Sequence, residues 1–288
     1  MKNEKPKTAN GKQELNIIQA IELAISHELE ARKSYVALAQ ESDDPELKRL
    51  LREIAAEEAS HEATLRSRLR LYEEKHLLRD TIGRYVSPEM CEEILRNPAL
   101  LQLGGRSQRV TVLFADIKGF TAMSESMAPE EVVEVLNIYF TAMVDLVFKH
   151  QGTLDKYVGD ALMAVFGVPV PLPDAATRAV KCAAAMQRHL ARMQAQGQTP
   201  IKGVRIGINT GEVIVGNIGS DKRMDFTVIG DAVNVAARLQ EAAKELEADT
   251  LVSEATFREA QGQFQFTPLE PMVLRGRQEP TVIYRLQA

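Results

Sequence analysis

Two groups of side chains in this sequence could hold metal ions. In the C-terminal half, the run of apolar and β-branched residues from Val110 to Phe114 reads as a buried strand that ends in Asp116, just before the turn signals Gly119 and Thr121. A carboxylate at a strand end is a metal-ligand or general-base candidate, with helix capping as the alternative. A second carboxylate, Asp160, follows Gly159 in a Gly-Asp turn between two apolar strands. Two carboxylates on neighbouring strand ends can hold two divalent ions for in-line displacement at phosphorus. In the N-terminal half, Glu28 interrupts the helical stripe Ile18, Ile21, Ile25, Arg32 and Tyr35, and Glu58 and His61 interrupt the stripe Leu47, Leu51, Ile54 and Leu65. Glu-x-x-His sets two ligands one helical turn apart on one face. Carboxylates turned inward need a partner, and a metal ion is the strongest available. Solvated charges on an inert helix pair are the alternative.

These residues require elements to position them. Helical periodicity covers Leu15 to Gln40 and Pro45 to Glu74, with Asp44 as a helix cap and Pro45 in the first turn, so a helical hairpin is expected over residues 15–74. Glu30, Glu57 and Glu62 fall off the stripes and are expected at the surface. Residues 1–14 read as a disordered tail. Residues 75–108, with a short helix at Glu89 to Arg96, read as a structured connector that could transmit a signal or act as a rigid spacer. From 109 to 288 strands and helices alternate. The order β-α-β-β-α-β is ferredoxin-like, with helices near 129–150, 173–194 and 231–246. Short strands are expected near 204–209, 213–215, 225–229, 264–267 and 282–286. The fold class is therefore α+β.

Composition excludes several classes. The 288 residues, 45% hydrophobic and 26% charged, suit a soluble protein of two unequal domains. A net charge of −5 supplies no basic excess for nucleic acid. No apolar run is long enough for a membrane span, and the lysine-rich start lacks a signal-peptide core. Cys91 and Cys182 are too few for a disulfide framework, so a cytoplasmic location is expected.

Three segments carry a resemblance. Phe114-Ala-Asp-Ile-Lys-Gly-Phe120, Leu154-Asp-Lys-Tyr-Val-Gly-Asp160 and Phe226 to Arg238 resemble the signatures of the class III nucleotidyl cyclases, in the right order. The resemblance implies that Asp116 and Asp160, with the Ile117 carbonyl, bind two Mg2+ or Mn2+ ions per site. It implies that Lys156 and Thr227 read the purine: Lys can donate to the adenine ring nitrogen and Thr can accept from its amino group. Family guanylyl cyclases have Glu and Cys there, so ATP is favoured and cyclic AMP is the expected product. Asn234 would orient the ribose, Arg238 would stabilise charge on the α-phosphate, and Arg275, where many members have Lys, would contact the outgoing phosphates. In the family the metal aspartates come from one chain and the purine, ribose and α-phosphate residues from the other. An obligate homodimer is implied.

The N-terminal motifs Glu28 to Tyr35 and Ile54 to His61 resemble rubrerythrin and ferritin-like proteins. That implies Glu28, Glu58 and His61 as ligands of a di-iron centre. One hairpin offers half a site, so an intermolecular four-helix bundle sharing the iron between two chains is expected, and with it iron, oxygen or redox control of the cyclase. Three alternatives stay open: a ferritin-like iron-oxidising protein whose cyclase domain only dimerises, a cyclase with an inert helical dimeriser, and a guanylyl cyclase.

Overall fold

The computed structural model describes residues 9–84, 86–97, 105–220, 223–260, 262–276 and 278–287. It forms two units, divided after Asp80. The first contains helix α1 (Ala9–Glu41) and most of helix α2 (Pro45–Ile82). Asp44 caps α2 as its position before Pro45 demands: its Oδ1 accepts from the Glu46 amide at 2.9 Å. Residues 1–8 of the expected tail lie outside the described residues, and α1 starts at Ala9. Its partner α2 continues without interruption through the first residues of the expected connector.

Glu62 corrects one expectation. It is buried, not at the surface, with its side chain 10% exposed between Arg32 (2.9 Å) and Arg66 (2.8 Å). Two guanidinium groups compensate the desolvated carboxylate, which explains how it leaves the surface. Ile25, Ala39 and Ala55 are also buried, whereas Leu23, Leu38, Leu47, Leu50, Leu71 and Leu77 are exposed.

The second unit opens with α3 (Pro88–Arg96), whose Cys91 and Ile94 pack with Val86. Strand β1 (Arg106–Ile117) then leads through α4 (Phe120–Glu125) and α5 (Pro129–Lys149) to the hairpin of β2 (Thr153–Val158) and β3 (Ala161–Phe166). Helix α6 (Ala175–Ala195), β4 (Val204–Ser220), β5 (Arg223–Ile229), α7 (Asp231–Glu245), β6 (Thr250–Ser253), α8 (Glu254–Ala260), β7 (Phe266–Pro268) and β8 (Ile283–Leu286) follow. The sheet order is β2-β3-β1-β4-β6-β8-β7, with β5 paired to β4. Its first four strands stand in the ferredoxin-like arrangement. The fold is α+β, as the element order implies.

Strand β1 is central and buried on both faces, which is why Val110 to Leu113 is written in apolar and β-branched residues, with the buried Thr111 hydroxyl bonded to Thr210. Leu113 and Ala115 pack under α5 and α6 with Met143, Val147 and Ala183, while Val110 and Val112 face Val213, Val228 and Ala236. The pieces expected at 204–209 and 213–215 are one strand of 17 residues, β4, because its second half pairs continuously with β5. The short elements α4, β6 and α8 have no counterpart in the periodicity. All four residues of β6 are buried, parallel to β4, and four residues are too few to show a period.

Candidate active site

Strand register brings the two aspartates together. Ala115 pairs with Leu162 across β1 and β3, so the next step along each strand sets Asp116 beside the turn that carries Gly159 and Asp160. Gly159 has φ +63, the left-handed conformation that lets this turn close. Asp116 does not cap the helix after it, since the cap of α4 is Gly119. The capping alternative therefore falls away.

The pair is short of compensating charge. Burial and the neighbouring Asp160 push the Asp116 carboxyl up to about 6, against the pull of Arg205 and Gln240. Arg205 Nη1 stands 3.8 Å from Asp116 Oδ2, and the Gln240 amide donates to the same oxygen at 3.1 Å. Tyr139, 1% exposed in the core beneath, has a hydroxyl without a hydrogen-bond partner among the described residues, and burial plus the two aspartates push its pKa up. Two crowded carboxylates above a buried phenol fit divalent cations, which supply the missing charge. Ile117 is buried at the strand end, with Lys118 donating its amide to the Gly203 carbonyl.

Helix α7 can reach Asp116 because β4 is thinned beneath it. A Cβ on Gly207 would stand 2.3 Å from the Ala236 carbonyl and the Gln240 amide. Only glycine allows this approach. The same helix presents Asn234, exposed, and Arg238, half-buried. Arg238 Nη2 lies 3.2 Å from where a Cβ on Gly276 would sit, so the turn after Arg275 is laid against the Arg238 guanidinium. Arg275 is exposed next to it.

Lys156 and Thr227 come from different strands and are gathered by a residue that pattern reasoning passed over. Asp155 accepts from the Thr227 hydroxyl at 2.7 and 2.9 Å and pairs with Lys156 Nζ at 3.4 Å. Strict alternation would set Asp155 and Lys156 on opposite faces. A bulge between Leu154 and Lys156 breaks the register and removes that constraint. Burial pushes the Asp155 carboxyl up, opposed by Thr227 and Lys156. Arg205, Gln240, Tyr139 and Asp155 were thus all missed by sequence reasoning. Only Asp155 carried a signal, a second charge beside Lys156 in an otherwise apolar strand.

In the helical unit the spacing does what it implies. Ligand atoms of Glu28, Glu58 and His61 all lie within 4.8 Å of one another. His61 Nδ1 is 3.8 Å from Glu28 and 3.7 Å from Glu58. A hydrogen bond donated by the Glu58 carboxyl to Glu28 is the main cause that holds Glu58 above its ordinary value. Two carboxylates and an imidazole gathered this closely fit a metal ion.

Comparison with known proteins agrees with this geometry. The family model described as adenylate and guanylate cyclase catalytic domain matches residues 104–288. The chain belongs to that family. Residues 3–92 match the rubrerythrin family model. The adenylyl cyclase CyaB from P. aeruginosa is similar in structure, with 34% identity and a TM-score of 0.59 over 65% of this chain and 97% of that one. The guanylyl cyclase Cya2 is also similar, with 37% identity and a TM-score of 0.57 over 64% of this chain and 94% of that one. Adenylate cyclase 1 of Rhizobium meliloti is 34% identical over 72% of this chain and 31% of its own length. The chain spans about a third of the length of the curated relatives it matches. A domain of the nucleotide cyclase family preceded by a rubrerythrin-like helical segment is therefore the organisation of this chain. Among the described residues no helix is long and apolar enough to cross a membrane.

Proposed function

We propose that this cyclase converts ATP to cyclic AMP and pyrophosphate at sites completed by two copies of the chain. The observation that carries the proposal is the crowding of Asp116 against Asp160, desolvated and opposed only by Arg205 and Gln240. Asp116, Asp160 and the Ile117 carbonyl would hold two Mg2+ or Mn2+ ions, which supply Lewis acidity toward the ribose 3′-hydroxyl and the phosphates. Lys156 donates to the adenine ring nitrogen and Thr227 accepts from the 6-amino group. Asn234 orients the ribose from α7. Arg238, four residues along the same helix and steadied by the Gly276 turn, faces the α-phosphate, where charge builds as the ring closes. Arg275 holds the departing pyrophosphate. Purified protein should form cyclic AMP from ATP with Mg2+ or Mn2+, and cyclic GMP from GTP far more slowly. Absence of product from ATP would refute the reading.

The helical unit supports a homodimer with a shared metal centre. Glu28, Glu58 and His61 gather on one hairpin that leaves Leu23, Leu38, Leu47 and Leu50 exposed, apolar surface suited to a second hairpin in a four-helix bundle. Two such half-sites would hold a di-iron centre, which supplies redox chemistry when bound. Since α2 runs unbroken from Pro45 to Ile82, a change at Glu58 and His61 has a stiff element by which to reach residue 82. A coupling of about 1–3 kcal/mol would change cyclase rates severalfold to roughly a hundredfold. Cys91 and Cys182, both buried, suit the reducing cytoplasm. Iron analysis, with rates compared between iron-loaded, reduced, oxidised and metal-free protein and Glu58→Ala as control, tests the regulation. Equal rates in every state would remove it.

A further inference from the structure

Asp155 is a third member of the purine-reading group, and its place in the structure gives it a role distinct from the other two. Its side chain is 4% exposed, Thr227 is 7% exposed, and both carboxylate oxygens lie within hydrogen-bond distance of the Thr227 hydroxyl, at 2.7 and 2.9 Å. Lys156 Nζ stands 3.4 Å from Oδ2. Asp155 and Lys156 line a cavity of about 660 Å³ together with Tyr157, with Phe226, the residue before Thr227, and, from the segment before β1, with Val86 and Ile94. That volume accommodates a purine.

A threonine hydroxyl has one proton and two acceptor positions, and by itself it rotates to serve a donor or an acceptor. An ionised carboxylate only accepts. With its proton directed into Asp155, Thr227 has only lone pairs left to offer a ligand. Such an oxygen takes a hydrogen bond from the 6-amino group of adenine. It repels the 6-carbonyl of guanine, lone pair against lone pair, and a buried mismatch of that kind is costly. Asp155 also occupies one side of the Lys156 ammonium, whose remaining protons suit an unprotonated ring nitrogen and oppose the N1 proton of guanine.

We infer that Asp155 is the positioning residue that sets base selectivity, by fixing the direction of the Thr227 hydroxyl proton and steadying Lys156. The inference rests on the ATP reading of the site and adds its cause. It also implies that Thr227 alone is not an adenine code, since the same threonine without a buried carboxylate behind it would accept either purine.

The test compares kcat/KM for ATP, GTP and purine riboside triphosphate, which lacks the 6-amino group, in the full-length protein. Asp155→Asn keeps the shape but lets the amide donate to Thr227, freeing the hydroxyl to donate outward. The ratio of ATP to GTP, and of ATP to purine riboside triphosphate, is expected to narrow at least about tenfold. In a Thr227→Val background the same Asp155→Asn change should alter the ratio of ATP to purine riboside triphosphate by less than about twofold, because the hydroxyl that meets the 6-amino group is gone and Lys156 meets the same unprotonated ring nitrogen in both. Equal losses for all three nucleotides in Asp155→Asn, with unchanged ratios, would show a merely structural role and overturn the inference. Should Asp155→Asn not fold, Thr227→Ser must keep the wild-type ratio and Thr227→Val must narrow it, and a ratio unmoved by Thr227→Val also overturns the inference. Wild-type protein that prefers GTP, or turns over neither nucleotide, would instead bring down the ATP reading itself.

Discussion

Replacing Asp116 by Asn should stabilise the metal-free protein while destroying its catalytic use. In the folded protein burial and Asp160 raise the Asp116 carboxyl to about 6 from 3.8. A raised carboxyl favours the folded state when protonated, so its stabilisation is complete below about pH 3.8 and is lost as pH climbs through about 6. Roughly two units at 1.36 kcal/mol each make that loss about 3 kcal/mol. For a unit of this size about 3 kcal/mol corresponds to roughly 6–12 °C in melting temperature. The assay is thermal melting from pH 4.5 to 8 in chelator, for wild type and Asp116→Asn, repeated with Mg2+. Wild type should weaken between pH 4.5 and 7 and recover with Mg2+. Asp116→Asn should melt higher than wild type at pH 7.5 in chelator, show a flatter pH profile, respond little to Mg2+ and make no product. A folded Asp116→Asn protein that melts no higher than wild type at pH 7.5 without divalent ions would refute the electrostatic account of the pair.

Gly207→Ala should cost at least about 2 kcal/mol, because the new methyl would meet backbone atoms of α7 at 2.3 Å that cannot swing aside. Chemical denaturation measures the loss, and the displaced Gln240 should lower activity beyond what the unfolded fraction explains. Gly276→Ala, at φ +74 and against Arg238, should reduce kcat more than it raises KM for ATP if Arg238 acts, as proposed, in the transition state. Arg32→Ala should destabilise the helical unit by about 1–2 kcal/mol, leaving buried Glu62 with Arg66 alone; the figure is discounted because Arg32 is 37% exposed. Helical circular dichroism against temperature reads that change, and Arg32→Lys should recover part of it.

Much of this molecule was legible in residue order. From Val110 strand β1 is buried on both faces and therefore written in apolar and β-branched residues up to Asp116, while Asp44-Pro45 and the inward stripes mark α1 and α2. Glu28, Glu58 and His61 could be grouped from spacing, because a helix turns sequence intervals directly into a shared face. Asp116 and Asp160 could be grouped because the β-α-β-β order sets their strands side by side. What resisted reading depends on contacts distant in sequence or on broken periodicity. Glu62 is off its stripe by rule, and only the two arginines that reach it make its burial possible. Gln240 is an ordinary helix residue until Gly207 lets α7 down onto the sheet and brings its amide to Asp116. Asp155 belongs by alternation to the face away from Lys156, and a one-residue bulge in β2 overrides that. The sequence by itself determined which elements form and which carboxylates stand at their ends, since local periodicity and capping act between near neighbours. Tertiary structure alone decided which neutral and charged partners surround those carboxylates, because burial and hydrogen-bond direction arise only when separate elements meet.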